Sequence, residues 1–143
     1  MDRRAFLATT VGITSATLAG CFARGSLSEE EYDIGMTSNA FTPDKHTISV
    51  GETVVWGNTN SRAHSVTAYE SAIPEEADYF ASGGFDTVAA ARESWTKHDG
   101  RDGGKILTGQ TYSHTFEVPG TYSYFCIPHE QVMTGVIVVE KNA

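Results

Sequence analysis

Apolar and polar positions alternate with a period of two over several short stretches of this chain. Tyr32, Ile34 and Met36 alternate with polar or small neighbours early on, and Tyr112, His114, Phe116 and Val118 do so much later. A period of two puts successive side chains on opposite faces of an extended strand, one face buried and the other wet. The same reading predicts further strands over 47–50, 53–57, 66–68, 121–126 and 135–140, with Trp56 in the core. Gly51-Glu52 and Pro119-Gly120 are turn signals between them. Pro43 has no N–H to give a ladder, so 39–44 is read as a turn region. Short β runs punctuated by glycine and proline predict an all-β, antiparallel-rich sandwich.

The segment after Ala68 breaks the alternation. Pro74-Glu75-Glu76 has proline at a first helical position with carboxylates beside it, which predicts a helical turn. Gly83-Gly84 interrupts. Asp86 can cap a second short helix through Trp95, with Val88, Ala91 and Trp95 on one face. A glycine-rich turn over 99–105 closes this insertion. Its position relative to the rest of the sandwich does not follow from the pattern.

The first residues have a different character. Arg3-Arg4 precede Ala5-Phe6-Leu7 and a mildly apolar run to Ala19, resembling a twin-arginine signal peptide over 1–20. The run is short and rich in Thr and Ser for a membrane span. Leu18-Ala19-Gly20-Cys21 looks like a lipobox, which would make Cys21 a lipidated first residue, and two acyl chains suffice for stable anchoring. A plain signal peptide with an incidental cysteine is the other reading. Residues 21–31 then read as a polar tether, and 32–143 as the folded domain.

The candidate chemistry lies between the last two strands. Cys126, His129 and Met133 fall in one short loop, and His64 follows a strand far upstream. Two imidazoles, a thiolate and a weak thioether are the donors of a blue-copper electron-transfer site. Gln131 is an alternative axial donor. Both cysteines thereby have roles, and no intrachain disulfide is expected. His46, His98 and His114 lack matching flanks; His114, on a strand face, is expected to be partly buried. The His129-to-Met133 stretch lacks the second histidine of a zinc-protease motif, and Gly103-Gly104-Lys105 lacks the Ser or Thr of a phosphate loop.

These residues, with Phe41-Thr42-Pro43, the run from Ile48 to Trp56, His64-Ser65-Val66, Pro119 to Cys126, Pro128-His129 and Met133-Thr134-Gly135, resemble a cupredoxin of the plastocyanin/halocyanin type. The likeness covers roughly residues 32–141, with a longer middle segment than plant plastocyanins have. It implies a Greek-key cupredoxin barrel with a short helical insertion after the strand of the first histidine. It implies one type 1 copper held by His64, Cys126, His129 and Met133, with the histidines bonding through Nδ1. It implies His129 as the electron port with Pro128 shielding its edge, and Ser65 as a polar neighbour of the thiolate. The three residues between His129 and Met133 differ in number from both plastocyanin and amicyanin loops.

The net charge is -8, and removal of 1–20 makes the remainder more acidic. Such a chain is a poor ligand for nucleic acid or anionic headgroups; the charge serves solubility or a basic partner. The expected function is one-electron carriage between membrane redox complexes, with no substrate transformed. Transient partners of cytochrome or oxidase type, a monomeric state and a lipid-anchored extracytoplasmic location follow from the same reading. Copper delivery is the alternative, disfavoured because few methionines are present. A copper enzyme would need further histidine-rich sites.

Overall fold

The computed structural model describes residues 27–141. The signal-type segment and Cys21 lie outside the described residues, as does the early part of the tether; its end forms a 3-10 turn at Glu29–Glu31. Eight strands follow: β1 (Ile34–Met36), β2 (Phe41–Thr42), β3 (Lys45–Ser49), β4 (Thr53–Asn58), β5 (Thr67–Ala68), β6 (Thr111–Thr115), β7 (Gly120–Phe125) and β8 (Thr134–Glu140). One α-helix, α1 (Val88–Lys97), lies between β5 and β6.

The strands form two four-stranded sheets, ordered β2-β1-β4-β6 and β3-β8-β7-β5. Four of the six strand pairings are antiparallel, as an antiparallel-rich sandwich requires; the other two are parallel, β1 with β4 and β3 with β8. The chain leaves β3 for β4 in the opposite sheet, so β3 receives a neighbour from the far end of the sequence. No short turn joins such a pair, and parallel alignment is then allowed.

Alternate residues of both sheets meet in one core. Trp56 is fully buried, with Tyr112, Phe116 and Tyr124 at ring-centroid distances of 5.6, 6.5 and 5.4 Å. Ile34, Met36, Val54, Tyr122 and Ile137 complete it. Aromatic rings dominate the burial here, and each buries on the order of 150–250 Å².

Within the insertion, the Pro74 segment is a turn, closed by Ala77 N–H donating to the Pro74 carbonyl, and a 3-10 turn sits earlier at Glu70–Ala72. The later helix is present but starts one residue on from the expected cap. Thr87, in an extended conformation, caps it by accepting from Ala90 N–H at 3.0 Å. Ala91 and Ser94 are buried, with Val88 and Trp95 half-buried. The predicted β6 stops at Thr115, after which Phe116 pairs with the turn at Gly51-Glu52.

The insertion folds back onto the His64 segment at two places. Val66 and Ser82 exchange backbone and hydroxyl hydrogen bonds, and Ala68 N–H donates to the Phe80 carbonyl. His64 forms a two-way bridge with Ile106, at 3.2 and 2.7 Å. The metal end of the sandwich is therefore where the inserted segment is fastened.

Candidate metal centre

Three neighbouring strands of one sheet end at the same rim. Thr67 of β5 pairs with Phe125 of β7, and Phe125 pairs with Thr134 of β8. His64 lies just before β5, Cys126 just after β7 and Met133 just before β8, so register alone brings them together. The loop from 126 to 133 is closed on itself. Cys126 N–H donates to the Met133 carbonyl at 3.0 Å, and His129 N–H to the Cys126 carbonyl at 3.1 Å. Val132 and Met133 N–H both donate to the His129 carbonyl, at 3.0 and 2.8 Å. β8 can start so close because residue 135 is glycine: a Cβ there would run into the Tyr124 ring.

Nδ1 of His64 lies 3.6 Å and Nδ1 of His129 3.5 Å from Cys126 Sγ. The ligand atoms of these three residues fall within 4.8 Å of one another, the one such group found among the described residues. His64, Cys126 and Met133 are fully buried, while His129 is half-buried. Gln131 is exposed. Met133, buried at the same rim, is therefore the residue that would complete the donor set, in place of the exposed Gln131. His46 lies in β3, His98 caps the end of α1 and His114 stacks on Phe80 at 4.7 Å. None of them approaches the cluster.

The protonation behaviour fits a metal. Burial, helped by the neighbouring His129, pushes the His64 imidazole down to about 4, with a Thr37 backbone contact opposing. Burial and then the Arg62 charge lower His129. Burial lifts the Cys126 thiol to about 11, against hydrogen bonds from Ser65 and His129. Two neutral imidazoles face a thiol that sheds its proton only for a strong Lewis acid. Ser65 N–H points at Cys126 Sγ from 3.4 Å, and Ser65 Oγ accepts from Ile127 N–H at 2.9 Å. Pro128 is exposed at the start of the 3-10 turn that carries His129.

The family comparison decides which metal. A model of the copper-binding proteins of the plastocyanin/azurin family matches residues 29–140. The chain belongs to the plastocyanin/azurin family. It is 33% identical over 110 residues to plastocyanin of Scenedesmus fuscus, covering 75% of this chain and 95% of that protein. It is 28% identical over 140 residues to chloroplastic plastocyanin of Oryza sativa subsp. indica, covering 95% and 80%. Among solved structures, amicyanin of Paracoccus versutus superposes with a TM-score of 0.51 at 25% identity, covering 82% of this chain and 89% of that one. A reduced copper(I) form of an amicyanin variant gives 0.55 at 22% identity, covering 82% and 90%. This cupredoxin is a plastocyanin-like electron carrier, not an enzyme, with one copper site made by His64, Cys126, His129 and Met133. When bound, copper supplies a one-electron couple; the chain supplies a buried donor set whose spacing the sheet fixes beforehand.

Two groups near the site escaped the sequence reading. Asn58, fully buried, donates to the Arg62 and Ile106 carbonyls at 2.8 and 2.9 Å and accepts from Asn60 N–H at 2.8 Å. It shapes the loop leading to His64. An Asn two residues from another Asn at a strand end was the available signal. Arg92 and Tyr69 both bond Glu130, and no local pattern marks that pairing.

Proposed function

We propose that this cupredoxin is a membrane-tethered shuttle on the extracytoplasmic face, exchanging electrons with transient partners through His129. The observation carrying the port is differential burial. Of the four ligands, His129 alone reaches the surface, in a shallow depression shared with Asn39, Arg62, Ile127, Pro128 and Val132. Val132 is 63% exposed and, with Pro128, forms the apolar part of a rim that Glu130 and Gln131 complete. Arg62 Nη1 lies 3.4 Å from the outer His129 nitrogen, so the rim also carries a cation. An apolar contact that desolvates easily and releases quickly suits a carrier, because exchange demands short-lived complexes. Ser65 then acts as a tuning residue, its amide partly neutralising the thiolate. Export by a twin-arginine route and lipidation at Cys21 rest on Arg3-Arg4 and the Leu18–Cys21 pattern. A carrier that works between membrane complexes gains from being held near them. Copper delivery fits less well with three deeply buried donors.

The test has two arms. Protein loaded with Cu(II) is expected to show intense thiolate-to-copper absorption that a reductant bleaches reversibly, lost in Cys126→Ser. Val132→Glu is expected to keep that absorption and slow electron exchange by about tenfold or more, as a charge placed on an apolar contact disfavours docking. Unchanged exchange would remove His129's rim as the port. In cells, Cys21→Ala should move the protein from membrane to soluble fraction; continued membrane association would refute the tether.

A further inference from the structure

The insertion between β5 and β6 has no part in the ligand set, yet it meets the ligand loop twice: Ile127 packs against the Ala81, Phe85 and Ala91 cluster, and a polar contact is made further along. Arg92, on α1, places Nη1 2.8 Å from Glu130 Oε1 and Nη2 3.2 Å from Glu130 Oε2. Tyr69 Oη donates to the same carboxylate at 2.7 Å. The guanidinium also lies over the Phe125 ring at 4.6 Å, and Tyr69 stacks on that ring at 4.4 Å with an interplanar angle of 23°. Val88 N–H, at the start of α1, donates to Glu70 next to Tyr69 at 3.1 Å. Glu130 follows His129, and Phe125 precedes Cys126. One guanidinium thus grips the chain on both sides of the Cys126–His129 stretch.

We propose that Arg92 is a positioning residue for electron transfer, clamping Glu130 and Phe125 so that His129 and Cys126 keep one arrangement. An exposed ion pair alone contributes little. This one is a two-pronged fork with a third donor and an aromatic floor, which restricts geometry where a single contact does not. A lysine cannot reproduce the fork. The Glu93–Lys97 pair on the same helix is a built-in control. It is 2.7 Å long, about two-thirds exposed, and makes no contact with the loop. The clamp narrows the range of His129 positions and so reduces rearrangement when the charge at the site changes.

The inference rests on the copper reading for its consequence but not for its first measurement. In metal-free protein, amide exchange at Val132 and Met133 reports loop opening. Arg92→Met is expected to speed it about tenfold, Arg92→Lys to restore less than half of the loss, and Lys97→Met to leave it unchanged. In copper-loaded protein, Arg92→Met is expected to slow electron self-exchange at least threefold and alter the Cu(II) hyperfine splitting. Tyr69→Phe, which keeps the stack, should move both readouts the same way by a smaller factor, and serves if Arg92→Met does not fold. Equal effects from Lys97→Met would overturn the proposal. So would faster loop exchange with an unchanged copper signature, since the clamp would then be structural only. Parent protein without a thiolate–copper band would sink the copper reading and with it the electron-transfer role, while the amide arm would still show whether Arg92 holds the loop.

Discussion

Ser65 meets the site twice, through its amide at the Cys126 sulfur and its hydroxyl at the Ile127 amide. Ser65→Ala keeps the first and removes the second, leaving a half-buried N–H without its acceptor. The expected cost is about 1–3 kcal/mol in urea unfolding, with a lowered reduction potential as the loop relaxes from the thiolate. An unchanged potential and unchanged metal retention would refute the tuning role. His114 offers a pH test. Burial against Phe80 and Phe116 lowers its imidazole below the ordinary 6.5, while Asp78 opposes. The unfolded chain therefore takes up a proton first as pH falls. Stability from this residue is complete above about 6.5 and is lost below it. In copper-loaded protein, melting temperature should fall less between about pH 7 and pH 5 in His114→Phe than in the parent. Residue identity at the site was legible because thiol, imidazole and thioether chemistry is rare and ordered here. Asn58 was not, since a buried amide and a loop amide look the same in a sequence.

At the scale of elements, period-two patterning located the longer strands, where one face is dry, but missed β2, two residues inside the stretch read as a turn region. It was silent on partners. The parallel β1–β4 and β3–β8 pairs depend on which sheet each strand joins, a non-local choice. The helix of the insertion was legible from alanine-rich sequence behind a capping side chain. Its cap is Thr87 because that residue, not Asp86, has its oxygen aimed at a free N–H. At the start of β8 the elements approach closely, and Tyr124 fills the space a side chain on Gly135 would take. Gly135→Ala is expected to destabilise by roughly 1–3 kcal/mol, as overpacking does, and to disturb the copper spectrum because Met133 is two residues away. Thermal unfolding and optical absorption of the variant check both parts.

For the whole molecule, the net charge of -8 governs encounters. Two like-charged copies repel, so electron self-exchange should quicken as salt rises from about 0.01 to 0.15 M, where the Debye length shortens from roughly 30 to 8 Å. Line broadening at two ionic strengths measures it, and a rate independent of salt would show that the contacting faces carry no net repulsion. His64, Cys126 and Met133 are all mounted on β5, β7 and β8, in one layer of the sandwich. Val54→Ala, far from the rim in the opposite layer, should cost about 2 kcal/mol of stability and leave the absorption band in place.

That mounting has a mechanical consequence. Slippage of one β layer over its neighbour would carry Cys126, His129 and Met133 together, much as a tool rack moves with the wall it hangs on, and would strain only the His64 end, which Asn58 ties to the opposite layer.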